Sequence, residues 1–167
     1  MSCFKHAVMV GLLLCGLVFM AGVAVAQDAA KPYLKASPED MKWWEEARFG
    51  FFIHWGPVSI KGTEIGWSRG GERRGTGGKG EIPVEIYDNL YKEFNPTKFN
   101  AKEWVALAQA AGMKYMVFTS KHHDGFCEFD SKLTDYKITN SAFGRDIVKE
   151  LADACHEAGL RIGFYYS

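Results

Sequence analysis

Along this chain the apolar positions gather into runs that stop abruptly at polar or ionisable side chains. Tyr115-Met116-Val117-Phe118-Thr119-Ser120 runs into Lys121-His122-His123-Asp124, and Gly125 then turns the backbone before Phe126. Residues 49–53 run likewise into His54-Trp55-Gly56, and residues 160–167 form a third run. Continuous apolar runs are how strands of a helix-covered parallel sheet read, and groups that do chemistry sit past the carboxyl ends of such strands. The segments before the second and third runs have helical spacing. Asn100 with Glu103 makes a capping box, Trp104, Leu107, Ala108 and Ala111 share one face, and Gly112 supplies a stop. Ile147, Leu151, Ala154, Cys155 and Ala158 form the second apolar face, closed by Gly159. Nearer the start, Ser37 before Pro38-Glu39-Asp40 is a third helix start, with a serine cap, a first-turn proline and acids at the positive end of the dipole.

The two later helices belong to copies of one unit. Ala111-Gly112-Met113-Lys114 aligns with Ala158-Gly159-Leu160-Arg161, and Ser120 aligns with Ser167. Helix, glycine and buried strand in repetition predict an α/β array with a parallel sheet. The open doubly wound sheet and the closed barrel share that signature. Histidines at the ends of the first two strands, with no phosphate loop after the first, favour the barrel. A closed (β/α)8 barrel takes about 250 residues. The expected fold is therefore α/β, the N-terminal portion of a (β/α)8-like (TIM) barrel with about three strands, filling residues 39–167.

Residues 1–26 are set apart. Lys5 and His6 precede an apolar stretch that ends in Ala24-Val25-Ala26, the form of a secretory signal peptide cleaved after Ala26. An uncleaved anchor is the alternative, since about 20 apolar residues just span a bilayer. The small-x-small site argues for cleavage, and so for export without a stable membrane anchor. Residues 27–38 read as a polar linker. Beyond the leader only Cys127 and Cys155 remain, each expected to be a buried free thiol. Equal numbers of basic and acidic residues, 20 each, give no charge excess that would attract nucleic acid. An aromatic content of 14 % suits both core packing and stacking on a ring ligand.

Candidate chemistry sits at the strand ends. His54 stands where the first strand meets solvent, beside Trp55. His122 and His123 are adjacent and would point to opposite faces of a straight strand, but a strand end bending at Gly125 turns both toward one pocket. A metal set of His54, His122, His123 and Asp124 is one reading, for a metal-dependent hydrolase barrel. Metallohydrolase barrels usually space two strand histidines one residue apart, however, and no Cys-x-x-Cys spacing occurs. Neutral imidazoles exchanging hydrogen bonds with ligand hydroxyls, against a tryptophan wall, are the better fit, and no metal or cofactor is expected. Asp124 is expected to cap the turn through its own backbone. Glu64, in the loop before Trp67, is either a hydroxyl acceptor or a solvated acid. The glycine-rich stretch 66–80 carries Arg69, Arg73, Arg74 and Lys79. Its Gly75-Thr76-Gly77-Gly78-Lys79-Gly80 matches a dinucleotide fingerprint only formally, since no strand feeds it and no helix follows. A loop over the site is expected instead.

Phe49-Gly50-Phe51-Phe52-Ile53-His54-Trp55-Gly56, Phe94-Asn95-Pro96-Thr97-Lys98-Phe99, Lys121-His122-His123-Asp124-Gly125-Phe126 and residues 159–167 together resemble the α-L-fucosidases of glycoside hydrolase family 29. The resemblance implies a catalytic barrel and retaining hydrolysis of terminal α-L-fucose from a fucosylated oligosaccharide or glycoconjugate, through a covalent fucosyl-aspartate. It implies that His54, His122 and His123 contact fucose hydroxyls, with Trp55, Trp67 and Glu64 in the same pocket. The nucleophilic aspartate and the acid/base glutamate that it implies belong to later strands, without counterparts among these 167 residues. The expected activity is that of the family, with this segment alone inactive. A non-catalytic sugar-binding remnant is the alternative. No oligomeric state follows from the sequence.

Overall fold

The computed structural model describes residues 35–71 and 78–167. The expected leader, residues 27–34 of the expected linker and residues 72–77 of the glycine-rich loop lie outside them. The chain divides into two units, residues 1–42 and 43–167. Helix α1 spans Pro38–Ala47. At its start Ser37 Oγ accepts from the Asp40 N–H at 3.0 Å, the serine cap expected there.

The second unit holds a parallel sheet of three strands in the order β1 (Gly50–Ile53), β4 (Tyr115–Lys121), β5 (Arg161–Tyr166). Between β1 and β4 come a two-residue antiparallel pair, β2 (Gly70–Gly71) with β3 (Gly78–Lys79), then the short helix α2 (Val84–Tyr87) and helix α3 (Ala101–Ala110). Helix α4 (Ile147–Glu157) links β4 to β5. This is the α/β alternation that the apolar runs predict; β1 and β5 are shorter than their apolar runs, while β4 extends one residue past its run, to Lys121. Asn100 caps α3, its Oδ1 accepting from Lys102 N–H and Glu103 N–H at 3.1 and 3.3 Å, while its own amide donates to Glu103 Oε1 at 3.0 Å. The capping partner is thus Glu103 as expected, but it meets the asparagine side chain rather than its backbone.

Successive residues of β4 alternate between two faces. Met116 and Phe118 are fully buried against the helices, in one core with Val105, Ala108, Ile138, Ile147, Leu151 and Cys155. The opposite face carries Phe52, Val117 and Tyr165, and Phe52 is 54 % exposed. Only one face of the sheet is therefore covered by helices among the described residues. Helix α4 buries Ile147, Leu151, Ala154 and Cys155 as its spacing predicts. In α3 the buried stripe is Ala101, Val105 and Ala108 instead. Leu107, expected in the stripe, is 61 % exposed, because it lines with Trp104, Phe51 and Phe52 an open groove beside β1. Cys127 and Cys155 are both free and buried.

The N-terminal end of the sheet is closed by aromatic packing. Tyr115 lies across Gly50, where an added Cβ would fall 2.3 Å from its ring, and its own ring meets Trp44 at 4.9 Å and Trp43 at 6.0 Å. A ring held among tryptophans has little room to move aside. Gly50→Ala is expected to destabilise the fold by about 1–3 kcal/mol through overpacking, measured by urea denaturation; an unchanged midpoint would show that Tyr115 swings clear.

Candidate functional site

Parallel pairing puts the carboxyl ends of all three strands at one edge of the sheet. His54 directly follows β1, the histidine pair follows β4, and Tyr165 to Ser167 close β5. The adjacent histidines need not point apart, because the β4–β5 register slips between Thr119 and Lys121. Past that irregularity Gly125 takes φ 85°, a left-handed conformation suited to glycine, and its N–H donates to the His122 carbonyl at 2.9 Å. Ring centroids of His54 and His122 then lie 5.2 Å apart, and those of His122 and His123 lie 4.6 Å apart. Tyr165 backs the group, 5.5 Å from His54 and stacked on His122 at 5.9 Å.

Trp67 approaches His123 edge to face at 5.1 Å. His123 Nδ1 shares a 2.6 Å hydrogen bond with Ser167 Oγ. A cleft of about 380 Å³ opens between the histidines and the loop after β1, lined among others by His54, His122, Trp55, Thr63, Glu64 and Trp67. Glu64 and Trp67 stand at its exposed side. Trp55 has a double role: half-buried, it lines the cleft but also packs on Phe94 at 5.2 Å and Trp104 at 5.3 Å. The expected site residues are thus brought together. Asp124 is turned away from them. Its Oδ1 accepts from Phe126 N–H at 3.3 Å, the expected turn cap, and its Oδ2 accepts from the Tyr87 hydroxyl at 2.8 Å. Among the described residues no group of three His, Cys, Asp or Glu side chains is arranged to hold a metal ion.

Burial decides the protonation of His122. His122 is 5 % exposed, and desolvation, followed by the neighbouring His123 and His54, lowers its pKa to about 4. Its Nδ1 has no partner and faces Gly66, where a Cβ would stand 2.7 Å away. A neutral imidazole offers one donor and one acceptor, the complement of a hydroxyl group, and exposed Trp67 offers an apolar ring face. The cleft can thus exchange hydrogen bonds with hydroxyl groups.

Three further residues escaped the sequence reading. Tyr87, fully buried, bridges Asp124 and the Gly66 N–H, and burial with the Asp124 charge holds its phenol well above the usual range. Its chain distance from both partners left no local signal. Arg69, read as part of a basic loop, is buried and bound bidentately to Asp88 at 2.7 Å per contact. Glu128 is enclosed with neither carboxyl oxygen hydrogen-bonded. Desolvation first, then the Asp124 charge, pushes its pKa well above the ordinary carboxylate range. An acid amid Phe126, Cys127 and Phe129 was the available signal.

Two outcomes follow. Because the folded pKa of His122 lies below its unfolded value of 6.5, the unfolded chain binds the extra proton first as pH drops. The His122 contribution is fully present above pH 6.5 and is lost as pH falls toward about 4. A ring titration followed by NMR should place its midpoint near 4, and a midpoint near 6.5 would contradict the dry environment. Glu128 has the opposite sign: its contribution is present below pH 4.5 and is lost as pH rises through the elevated folded value. Glu128→Leu should remove that decline and stabilise the protein near neutral pH by about 1–3 kcal/mol; a drop in melting temperature would show that the carboxyl has partners.

The family model described as alpha-L-fucosidase matches residues 21–167. Tissue alpha-L-fucosidase of Homo sapiens is 33 % identical over 172 aligned positions, covering 90 % of this chain and 36 % of the human one. Among solved structures, alpha-L-fucosidase isoenzyme 1 from Paenibacillus thiaminolyticus superposes with a TM-score of 0.65 at 47 % identity, over 75 % of this chain and 28 % of its own. Alpha-L-fucosidase AlfC from Lactobacillus casei, solved in complex with alpha-L-fucose product, gives a TM-score of 0.61 at 40 % identity, over 77 % of this chain and 40 % of its own. The chain thus spans well under half the length of each of these relatives. Strand-end histidines, sheet order and these likenesses agree, and the chain belongs to the alpha-L-fucosidase family.

Proposed function

We propose that this chain supplies the fucose-recognising part of an exo-acting α-L-fucosidase, a glycosidase that removes terminal α-L-fucose from glycans or glycoconjugates with retention. The observation that carries the reading is the convergence of His54 and His122 from two strands on one cleft beside Trp67, with His123 packed against both His122 and Trp67. The neutral imidazole of His122 meets a sugar hydroxyl as donor or acceptor without the desolvation cost of a charge. Tryptophan covers the apolar face of a sugar ring, and Glu64 adds an acceptor at the open side of the cleft.

Glycoside hydrolysis of this class takes two carboxyl groups flanking the scissile bond, about 5 Å apart for retention. Among the described residues Glu64 alone of the acids lines the cleft, while Asp124 and Glu128 are buried and outside its lining. In this reading the cleaving carboxylates come from further strands of a (β/α)8-like barrel, with β1, β4 and β5 as three adjacent staves. In this reading the signal-peptide form of residues 1–26 supports export from the cytoplasm.

L-Fucose titrated into the full chain should bind and shift the imidazole resonances of all three histidines. His54→Ala and His123→Ala should each weaken binding about tenfold, the value of a hydrogen bond lost from a cleft, and a nitrophenyl α-L-fucoside should not be turned over. Unchanged affinity in both variants, or turnover by the chain alone, would overturn the assignment.

A further inference from the structure

We propose that Tyr87 is a positioning residue whose hydroxyl sets the width of the cleft by tying the loop that bears Trp67 to the turn that bears His123. The proposal rests on the sugar-binding reading for its consequence, while its geometry stands without any ligand.

Tyr87 is 1 % exposed, and its hydroxyl makes two bonds of 2.8 Å, donating to Asp124 Oδ2 and accepting from the Gly66 N–H. Asp124 directly follows His123, and Gly66 directly precedes Trp67, so one oxygen atom joins the two walls of the cleft. The contact is tight where it matters. Gly66 adopts φ 75° with its backbone against His122, and no Cβ fits between them. On the other side of Trp67 the same short segment clamps the loop again: Asp88, next to Tyr87, holds Arg69 by two contacts of 2.7 Å. Trp67 is therefore held between two anchors from consecutive residues.

The two anchors differ in reach. Asp88 fixes the tryptophan loop alone. Tyr87 fixes that loop relative to the histidines, because Asp124 also caps the turn at Phe126. Tyr87→Phe keeps the ring and its packing and deletes only the bridge. It leaves the buried Gly66 N–H without this acceptor, and the loop relaxes away from His122 to find water. Trp67 then leaves its edge-to-face contact with His123, and the cleft opens.

The test is NMR on the full chain, with and without L-fucose. In Tyr87→Phe the Trp67–His123 ring contacts should vanish and the His123 ring protons should lose their ring-current shift. The fucose dissociation constant should rise about tenfold. A core variant of modest cost remote from the cleft, Ile138→Val, should leave both readouts unchanged, which separates positioning from loss of stability. Retained ring contacts and affinity in Tyr87→Phe would overturn the proposal. Should Tyr87→Phe not fold, Asp124→Ala removes the acceptor at the other end of the bridge, and unaltered Trp67–His123 contacts there would overturn it equally. If the parent chain shows no response to fucose, the sugar reading fails by itself, and the ligand-free ring contacts still decide the role of Tyr87.

Discussion

Parallel pairing on both sides of β4 is the constraint from which the site follows. Strands that run in one direction end together, so residues far apart in the chain are delivered to one edge of the sheet. Phe118 pairs with Ile53 on one side and Phe164 on the other, and that register alone puts His54, His122 and Tyr165 in ring contact. An antiparallel β4 would send the histidine pair to the opposite edge. The helices matter here because they hold that register. Met116 and Phe118 are locked between α3 and α4 by Val105, Ala108, Ile147 and Leu151, and a slip of one residue would turn both out of the core.

The same packing dries the site from below. His122, Asp124 and Glu128 all lie among residues 122–128, directly after β4, and all are buried, yet each settles its charge differently. His122 is held neutral by desolvation and two neighbouring imidazoles. Asp124 shares its carboxyl oxygens between a backbone amide and a tyrosine. Burial and the Asp124 charge both favour the protonated form of Glu128, whose carboxyl oxygens have no hydrogen-bond partner among the described residues. A buried carboxyl without partners is a standing cost to the fold, set next to the Asp124 charge that raises its pKa further. Among the described residues no hydrogen bond compensates it.

The repeat seen in the sequence has a structural counterpart. Ser120 and Ser167 occupy equivalent places in the two copies, but their hydroxyls do different things. Ser120 donates to the Tyr165 carbonyl at 3.0 Å and so helps hold β5 to β4. Ser167 lies past the last strand and meets His123 at 2.6 Å. One position in a repeated unit thus serves the sheet in the first copy and the site in the second.

Periodicity and punctuation were enough to determine the α/β class, the parallel sheet, the capped starts at Ser37 and Asn100, the α4 stripe, the buried thiols and the strand-end histidines, because each is a local property of spacing and residue type. They failed on α3, where Trp104 and Leu107 match helical spacing as well as Ala101 and Val105 do. Only the position of the neighbouring strand selects the buried set. The convergence of His54 with His122 was inferred from strand ends, but its distance came from register, and the turn that lets His123 join depended on the irregularity after Thr119. Tyr87, Arg69 and Glu128 belong wholly to the tertiary structure. A hydroxyl bridging Gly66 and Asp124, or a carboxyl closed off from water, exists only once distant segments have packed, and no pattern along the chain records it.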